Sequence, residues 1–492
     1  MNKGACENTK GDLNSFKLTK RAPTLRGEVK AYLKSLNEIR DYPIGGTKYM
    51  KKLLGLAMVG MLVASAIPAK AEIFKNLQTK GELEVYGVMT HNVTDLNSSL
   101  GDDYRNTYNR ITYGAAFDML DDLHANLTFV KNDRMWGENA QAISGAAGNS
   151  ILENIYLQEA NIVLDDLFGL KAKIGRSFYG NEGDIIVYYG NQHMVDGLPT
   201  SSVDLASFVR EDSIKGMDNA FELTYAKTLA AAAPLQDTGA NFWAVKDVLR
   251  FNSDMDMGLF IYNQRTGNNS PVIDGQNLWV LDLNHHGKAM GFNWGAELAM
   301  NLGTWDKATQ PTRNYKGWAA KLDIAYEAKV QNIGLTPRFM FAYGSGDNQG
   351  ANGGGQSDKN FRALNPNFQP GYIFGKSNGN FASAVPGVQP WTDNSLSNLQ
   401  VWNLGVDVDV TEKLSFIVDG YNFWVNSLAA GSFGGNRHIG AELDLTGNYA
   451  YAKNVDLGLY AAKFYPGGLL ANANNGAINS SYKIGSYVSV RF

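Results

Sequence analysis

Residues 292–302 read FNWGAELAMNL, and this stretch shows the pattern that decides the fold. The even positions are all apolar, whereas the odd positions carry Asn, Gly, Glu and Ala. A β-strand repeats every two residues, so this alternation places the apolar side chains on one face. The same pattern recurs at 318–326, 335–343, 404–410, 439–445 and 484–492. The sequence therefore predicts an all-β protein.

The length of the patterned segments and of their connections favours a membrane barrel over a soluble sandwich. Strands in globular sheets average about 5–6 residues, whereas a tilted transmembrane strand needs about 9–11, and these segments are of the longer kind. Tight turns are expected at 121–122, 165–166, 287–290, 412–413 and 453–454, and long loops at 134–150, 179–217, 303–315, 345–397 and 465–480. Short turns at one end and long loops at the other are typical of outer-membrane barrels.

The number of strands is predicted from parity. About seventeen patterned segments lie between residue 80 and residue 492, and bacterial single-chain barrels have an even number of strands. One weakly patterned strand is therefore expected within 190–210. The predicted fold is an antiparallel transmembrane β-barrel of about eighteen strands.

The first 71 residues are expected to lie outside the barrel. Lys51 and Lys52 precede an apolar run at 53–69 that is too short to span a bilayer, and Ala69-Lys70-Ala71 is a cleavage-site pattern. We interpret 50–71 as a secretory signal peptide, 1–49 as a mis-assigned upstream extension, and 72–492 as one outer-membrane barrel. A cytoplasmic head with an inner-membrane anchor is the alternative.

Charge and cysteine content narrow the partners. The full chain has 44 basic and 48 acidic residues, and removal of 1–71 leaves a net charge of about −12. Nucleic acid is not an expected partner, since its phosphates require a basic surface. The lone Cys6 lies in the removed part, so no disulfide framework is expected. The final strand ends at Phe492 and resembles the C-terminal signal that the outer-membrane assembly machinery recognises.

Charged residues inside the patterned segments are the candidate pore lining. A charge facing lipid near the midplane costs about 2–4 kcal/mol for Arg or Lys, so these side chains should face the lumen. There they either form salt bridges for stability or contact a passing solute. The candidates supported by alternation include Arg110, Lys321, Arg338, Asp419, Glu442 and Asp444.

No metal site, cofactor or catalytic site is predicted. The six histidines are scattered, and the adjacent His285 and His286 would point to opposite faces of a strand. A hydrolase remains an alternative, with His438 as a base near Ser432 or Asp444, because sequence cannot show whether these groups come within hydrogen-bond reach.

Several motifs together resemble the alginate export porin family. Gly175-Arg176-Ser177-Phe178-Tyr179-Gly180 is similar to a Gly-Arg-Gln…Tyr-Gly segment of that family. Tyr343-Gly344-Ser345-Gly346-Asp347 resembles its Ser-Gly-Asp loop. The stretches at 365–372, 403–414, 419–424, 439–445 and 464–467 follow the family's order, and the resemblance covers most of 80–492.

The resemblance implies a monomeric eighteen-stranded barrel that passes an anionic polysaccharide by diffusion. It also implies that arginines and lysines line the narrow part, and Arg176 and Arg338 match best. The net negative charge is opposite to what would attract a polyanion. Besides lipid and lipopolysaccharide, the expected partner is therefore a saccharide or another polar solute. A structural or adhesive barrel plugged by the 345–397 loop remains the third alternative.

Overall fold

The computed structural model describes residues 75–93, 96, 103–135, 155–191, 201–229, 239–266, 275–306, 312–348, 357–376, 396–428, 431–473 and 478–492. The predicted upstream extension at 1–49 and signal peptide at 50–71 lie outside the described residues, as do His193 and parts of several long loops. Among the described residues, no helix has the length and apolar character needed to cross a membrane.

Eighteen antiparallel strands form one closed sheet, which confirms the predicted fold class and strand number. They are β1 Lys75–His91, β2 Tyr104–Leu120, β3 Leu123–Met135, β4 Ile155–Leu167, β5 Leu170–Ser177, β6 Val203–Ile214, β7 Met217–Leu229, β8 Ala240–Asn252, β9 Met255–Thr266, β10 Gly275–Ala289, β11 Phe292–Asp306, β12 Trp318–Tyr326, β13 Ile333–Gly344, β14 Leu399–Asp409, β15 Leu414–Val425, β16 His438–Ala452, β17 Val455–Pro466 and β18 Ser481–Arg491. Strand β18 pairs with β1, with Arg491 opposite Glu82, and this pairing closes the barrel.

The strand that parity predicted within 190–210 is β6, which begins later, at Val203, and ends at Ile214. Its alternation is hard to see because polar residues stand where apolar ones normally face lipid. Asp204, Arg210 and Asp212 all lie on the face opposite to the buried Val203 and Leu205. Charges on both faces remove the contrast on which the pattern depends.

The short connections differ slightly from the predicted turns. The turns expected at 165–166 and 287–290 are formed by Phe168-Gly169 and Met290-Gly291. In both pairs the two residues have positive φ, at 57° and 81° in the first and 52° and 83° in the second. Two-residue hairpin turns of this kind favour glycine, which is why the turn forms at Gly169 rather than at the preceding aspartates.

The outer face of the barrel is apolar and the inner face is polar. On β16, Leu443 and Leu445 are 51% and 49% exposed, whereas the intervening Glu442 and Asp444 are only 2% and 4% exposed. Exposed apolar residues in the same outward register occur on most strands, as with Leu298, Met300 and Leu302 on β11. This is the apolar belt of a transmembrane barrel.

Several shorter strands and turns accompany the eighteen barrel strands. Ala328–Val330 continues β12, Arg313–Tyr315 pairs with the end of β11, and Ser357–Asp358 lies parallel to Arg313–Tyr315. Tyr179–Gly180 and Tyr188–Tyr189 pair with each other. The helical elements are a π-turn at Gly371–Gly375, a 3-10 turn at Ser432–Gly435 and helix α1 at Gly468–Ala473.

Candidate functional site

Two loop segments fold back into the barrel and narrow its lumen. One is the segment 178–191, which follows β5, and the other is the segment 357–376, which belongs to the connection between β13 and β14. Tyr188 N–H donates to the carbonyl of Asn365 at 2.7 Å, and Leu364 N–H donates to the carbonyl of Ile186 at 2.9 Å. The backbones of the two segments therefore hold each other.

Apolar side chains anchor the two segments to the inner wall. The fully buried residues are Ile185, Ile186, Val187, Phe361, Ile373 and Phe374. The ring of Phe374 stacks on Phe423 of β15 at a centroid distance of 4.0 Å. Burial of this apolar surface is a sizeable driving force for keeping the loops inside, at about 25 cal/mol per Å².

Glu442 and Asp444 fix the turn at 371–376 through its backbone. Ile373 N–H donates to Glu442 Oε1 at 2.6 Å, and Phe374 N–H donates to Glu442 Oε2 at 2.9 Å. Tyr372 N–H donates to Asp444 Oδ2 at 3.1 Å. Three backbone donors that would otherwise be buried without partners thus meet carboxylates of the barrel wall.

Lys483 of β18 holds the same turn from the other side. Its Nζ donates to the carbonyls of Tyr372 and Lys376, at 3.0 and 3.4 Å. The ring of Tyr372 stacks on Tyr460 of β17 with centroids 4.7 Å apart. We call Glu442, Asp444 and Lys483 the latch residues, because between them they bind both the donors and the acceptors of the turn.

Arg338 forms a second inner cluster, with Asp407 and Asp419. Its Nη2 lies 2.8 Å from Asp407 Oδ1 and 3.1 Å from each carboxylate oxygen of Asp419. Gly405 stands between Arg338 and Asp419 in the sheet, and a Cβ there would lie 2.2 Å from Asp419 Oδ1. The missing side chain at Gly405 is what lets Arg338 reach Asp419 across one strand.

Arg110 and Lys321 also face the lumen, but each meets a different neighbour. Arg110 is fully buried, with Nη1 3.9 Å from Glu84 Oε2 on the paired strand β1. Lys321 lies 3.1 Å from Asp323 Oδ2 and pairs across the sheet with Glu297. The predicted inner charges are thus joined into separate pairs and clusters. Their contact with a solute stays a prediction.

Arg176 is the exception, because it lies on the outer face. Its Nη1 contacts Asp204 Oδ1 at 3.3 Å, and the Asp204 side chain is 63% exposed. The residues on either side of Asp204, Val203 and Leu205, are buried inside the barrel, so Asp204 and its partner point outward. The pairing of β5 with β6 is regular through Gly175, so Arg176 lies on the same face as the exposed Ile174. The lumen placement that the family resemblance implies for Arg176 is corrected accordingly.

Sequence reasoning missed several residues of the constriction. Lys483 alternates with Tyr482 and Ile484, and this signal could have identified it. Asp184 gave no signal, because it lies in a loop. Its Oδ1 accepts N–H groups from Ile186 and Val187 at 2.7 and 3.1 Å, and burial raises its pKa above the ordinary value.

Two residues of the hydrolase alternative, His438 and Asp444, have hydrogen-bond partners other than each other. His438 Nε2 lies 3.1 Å from Asn422 Oδ1, whereas Asp444 points into the lumen toward Tyr372. Within the described ranges, no group of three or more His, Cys, Asp or Glu side chains is placed to hold a metal ion.

Comparisons with known proteins agree with this architecture. No curated protein sequence matches the chain. Similar solved folds include Acinetobacter baumannii OccAB2, at 12% identity and a TM-score of 0.51, covering 86% of this chain and 99% of that one. Others are Pseudomonas aeruginosa OccK11 (OpdR), at 12% and 0.50, covering 86% and 97%, and OccK2 (OpdF) from the same organism in complex with glucuronate, at 11% and 0.50, covering 85% and 99%.

At such low identity these structures support the fold alone, and they are outer-membrane β-barrels of porin type. The sequence profile of the family described as alginate export matches residues 256–482. That match runs from β9 to the first residues of β18 and includes the Arg338 cluster, Glu442 and Asp444, whereas Lys483 lies just beyond it. The resemblance of this outer-membrane barrel to the alginate export family is therefore confirmed over residues 256–482.

Proposed function

We propose that this chain is an outer-membrane channel through which an anionic poly- or oligosaccharide diffuses passively. The proposal rests on the position of Arg338. This residue lies on the inner wall within the matched region, and its side chain remains partly exposed beside Asp407 and Asp419. Exposed guanidinium groups are suited to carboxylate ligands because they donate in a fixed planar geometry.

Part of the negative charge of the inner wall is offset by neighbouring hydrogen-bond donors and by Arg338. Asp407 and Asp419 contact Arg338, and Glu442 accepts two backbone N–H groups. Such donors offset the field of a carboxylate, so the net charge of the chain overstates the repulsion of an anion. No cofactor and no catalytic step are part of this proposal.

A planar bilayer experiment tests the function. We expect single-channel currents that a uronic-acid oligosaccharide blocks at lower concentration than a neutral oligosaccharide of equal length. Equal block by the two sugars would contradict the anionic specificity. The absence of single-channel currents would favour a second candidate, a closed structural barrel. This candidate is worth testing because two segments fold into the lumen.

The lipid-facing belt, the long loops and the C-terminus suggest three further partners. The exposed apolar belt contacts membrane lipid, and the long loops would lie among lipopolysaccharide. Phe492 N–H donates to the carbonyl of Gly81 at 2.9 Å, and the carbonyl of Phe492 accepts the N–H of Gly81 at 2.6 Å, while the Phe492 ring remains exposed. The exposed ring is available for recognition by the assembly machinery.

Replacing Phe492 by Ala should lower the amount of protein inserted in the outer membrane severalfold, because the backbone bonds to Gly81 remain while the exposed ring is lost. The readout is the heat-modifiable fraction in isolated outer membranes. Val490→Ala serves as a control on the same strand. An equal loss in both variants would argue against recognition of the terminal ring.

A further inference from the structure

A row of tyrosine rings follows the barrel wall across β2, β1 and β17. The ring centroids of Tyr104 and Tyr108 on β2 lie 6.5 Å apart, and Tyr108 lies 6.2 Å from Tyr86 of β1. Tyr86 in turn lies 6.1 Å from Tyr460 of β17. All three contacts are stacked, with interplanar angles of 24°, 24° and 7°. We call these four residues, together with Tyr372 of the turn at 371–376, the tyrosine row.

The register of the sheet places the row on the lumen side of the wall. Tyr108 stands directly opposite Tyr86, and two residues further along β2 the fully buried Arg110 has the same orientation. Tyr104 stands opposite Thr90, which is also buried inside the barrel. Since side chains two residues apart share one face of a strand, both β2 tyrosines point inward.

The row is open at one end and covered at the other. Tyr104 lies where β2 begins, next to the connection 92–103, and its side chain is 39% exposed. Tyr108 is partly exposed, whereas Tyr86 and Tyr460 are buried. The short turn after β2 lies at the opposite end of the strand. The accessible rings are therefore Tyr104 and Tyr108, on the side of the barrel that carries the long loops.

The covered rings belong to the attachment of the turn. Tyr372 stacks on Tyr460, and the ammonium group of Lys376 lies 4.9 Å from the ring centroid of Tyr372. The hydroxyl of Tyr460 donates to that of Tyr86 at 2.5 Å. Because Tyr108 stacks on this fixed group, its ring is held in place before any ligand arrives, which lowers the entropic cost of binding.

The two accessible rings have a chemistry that suits one face of a pyranose ring. Aromatic rings on the outer face contact lipid, whereas Tyr104 and Tyr108 face the water of the lumen. The face of an aromatic ring is electron-rich, and the C–H groups on one side of a pyranose are apolar and slightly positive, so the two can stack. Asn106 lies between the two tyrosines in the same inward register and offers an amide to sugar hydroxyls. Apolar surface rimmed by polar groups is typical of ligand sites.

We propose that Tyr104 and Tyr108 form a stacking site for the pyranose rings of a saccharide at the loop-bearing mouth of the barrel. The inference rests on the proposed function in taking a saccharide as the ligand. It adds a contact that does not depend on charge, because the nearest inner cation on β2, Arg110, is fully buried beside Glu84. Arg338 recognises a carboxylate, whereas the two tyrosines recognise the sugar ring itself.

Saturation-transfer NMR on the purified protein in detergent micelles tests the site, with a neutral oligosaccharide as the probe. Saturation of the protein's aromatic protons should reach the ring C–H protons of the sugar. Replacing both Tyr104 and Tyr108 by Ala should weaken binding about tenfold, since each stacked ring contributes to affinity. Replacing both by Phe should preserve binding, because stacking requires the ring and not the hydroxyl. Absence of transfer to the wild-type ligand, or equal transfer in the alanine variant, would overturn the proposal.

Tyr113→Ala is the matched control. Tyr113 belongs to the same strand and is 42% exposed, nearly as much as Tyr104, but it lies on the outer face. Its removal should leave binding of the neutral sugar at the wild-type level, and heat-modifiability confirms that each variant has folded. A loss of binding as large as that of the double alanine variant would come from disturbance of β2 and would contradict a specific stacking site.

Bilayer recordings separate this inference from the proposed function. The double alanine variant should weaken block by neutral and by anionic oligosaccharide by the same factor, whereas Arg338→Glu should weaken block by the anionic sugar alone. Open channels with unchanged block in the double alanine variant would overturn the stacking site and leave the channel function intact. Transfer to the sugar that depends on the two tyrosines, in a protein without single-channel currents, would support the site and contradict the channel.

Discussion

Replacing Glu442 by Ala is expected to release the turn at 371–376 and to raise the single-channel conductance, with frequent switching between current levels. Glu442 accepts the N–H groups of Ile373 and Phe374, and both are buried. Without the carboxylate, these donors lose their partners while the segment stays inside. Moving into the open lumen would let water satisfy them.

The size of the effect follows from the strength of these bonds. A hydrogen bond to a charged group contributes about 1.5–3 kcal/mol, so two of them contribute roughly 3 kcal/mol or more. Since about 1.4 kcal/mol changes an equilibrium tenfold, the detached population should rise on the order of 100-fold. The packing of Phe374 on Phe423 and the contacts of Asp444 and Lys483 remain, so the segment should move reversibly.

Planar bilayer recordings give the measurement, with Asp409→Ala as the control. Asp409 is also acidic and belongs to the inner face of β14, close to a short turn. Its removal should change conductance little. Indistinguishable traces from wild type and Glu442→Ala would show that the carboxylate does not hold the constriction.

A pair of glycines provides an independent test of the same latch. Gly371 and Gly431 have nearly equal positive φ, 83° and 79°, so Ala strains the backbone similarly at both. A Cβ at Gly371 would lie 2.8 Å from the carboxylate of Glu442, whereas at Gly431 no atom comes within 4 Å. Gly371→Ala should therefore resemble Glu442→Ala, and Gly431→Ala should not.

Most of the barrel wall could be predicted from sequence because most strands follow one simple alternation of apolar and polar residues. Segments such as 292–302 present lipid on one side and water on the other, and a period of two records that difference directly. Lys321, Arg338 and Glu442 were assigned to the lumen by this rule. Strand β6 was hard to find for the same reason, since Arg210 and Asp212 break the rule on its outer face.

The constriction could not be predicted in this way. Its geometry depends on which wall residues meet the loop backbone, and the N–H groups of Ile373 and Phe374 carry no sequence signature. The position of Arg176 was mistaken because a family motif does not report which face of the sheet a residue takes, and the register of β5 puts Arg176 on the face of the exposed Ile174. The role of Gly405 likewise becomes evident only in the folded sheet, where it lies between Arg338 and Asp419 and leaves room for their contact.

Replacing Arg338 by Glu should weaken block by anionic oligosaccharide and make the channel more selective for cations. The substitution leaves Asp407 and Asp419 without their cation and adds a third carboxylate. The local charge changes by two units. At about 8 Å in water this amounts to roughly 1 kcal/mol for an anionic group, or about a fivefold weaker block.

Arg176→Glu is the matched control for this prediction, because it makes the same change of charge on the outer face beside Asp204. Its reversal potential in a salt gradient and its affinity for the blocking sugar should remain those of wild type. Arg338→Lys keeps the positive charge but loses the planar contact with two carboxylates. Its ion selectivity should therefore stay close to that of wild type, whereas its block by the anionic sugar should be only partly retained. If Arg176→Glu weakened block as much as Arg338→Glu, the effect would come from the overall charge of the barrel, and Arg338 would have no special position in the path of the solute.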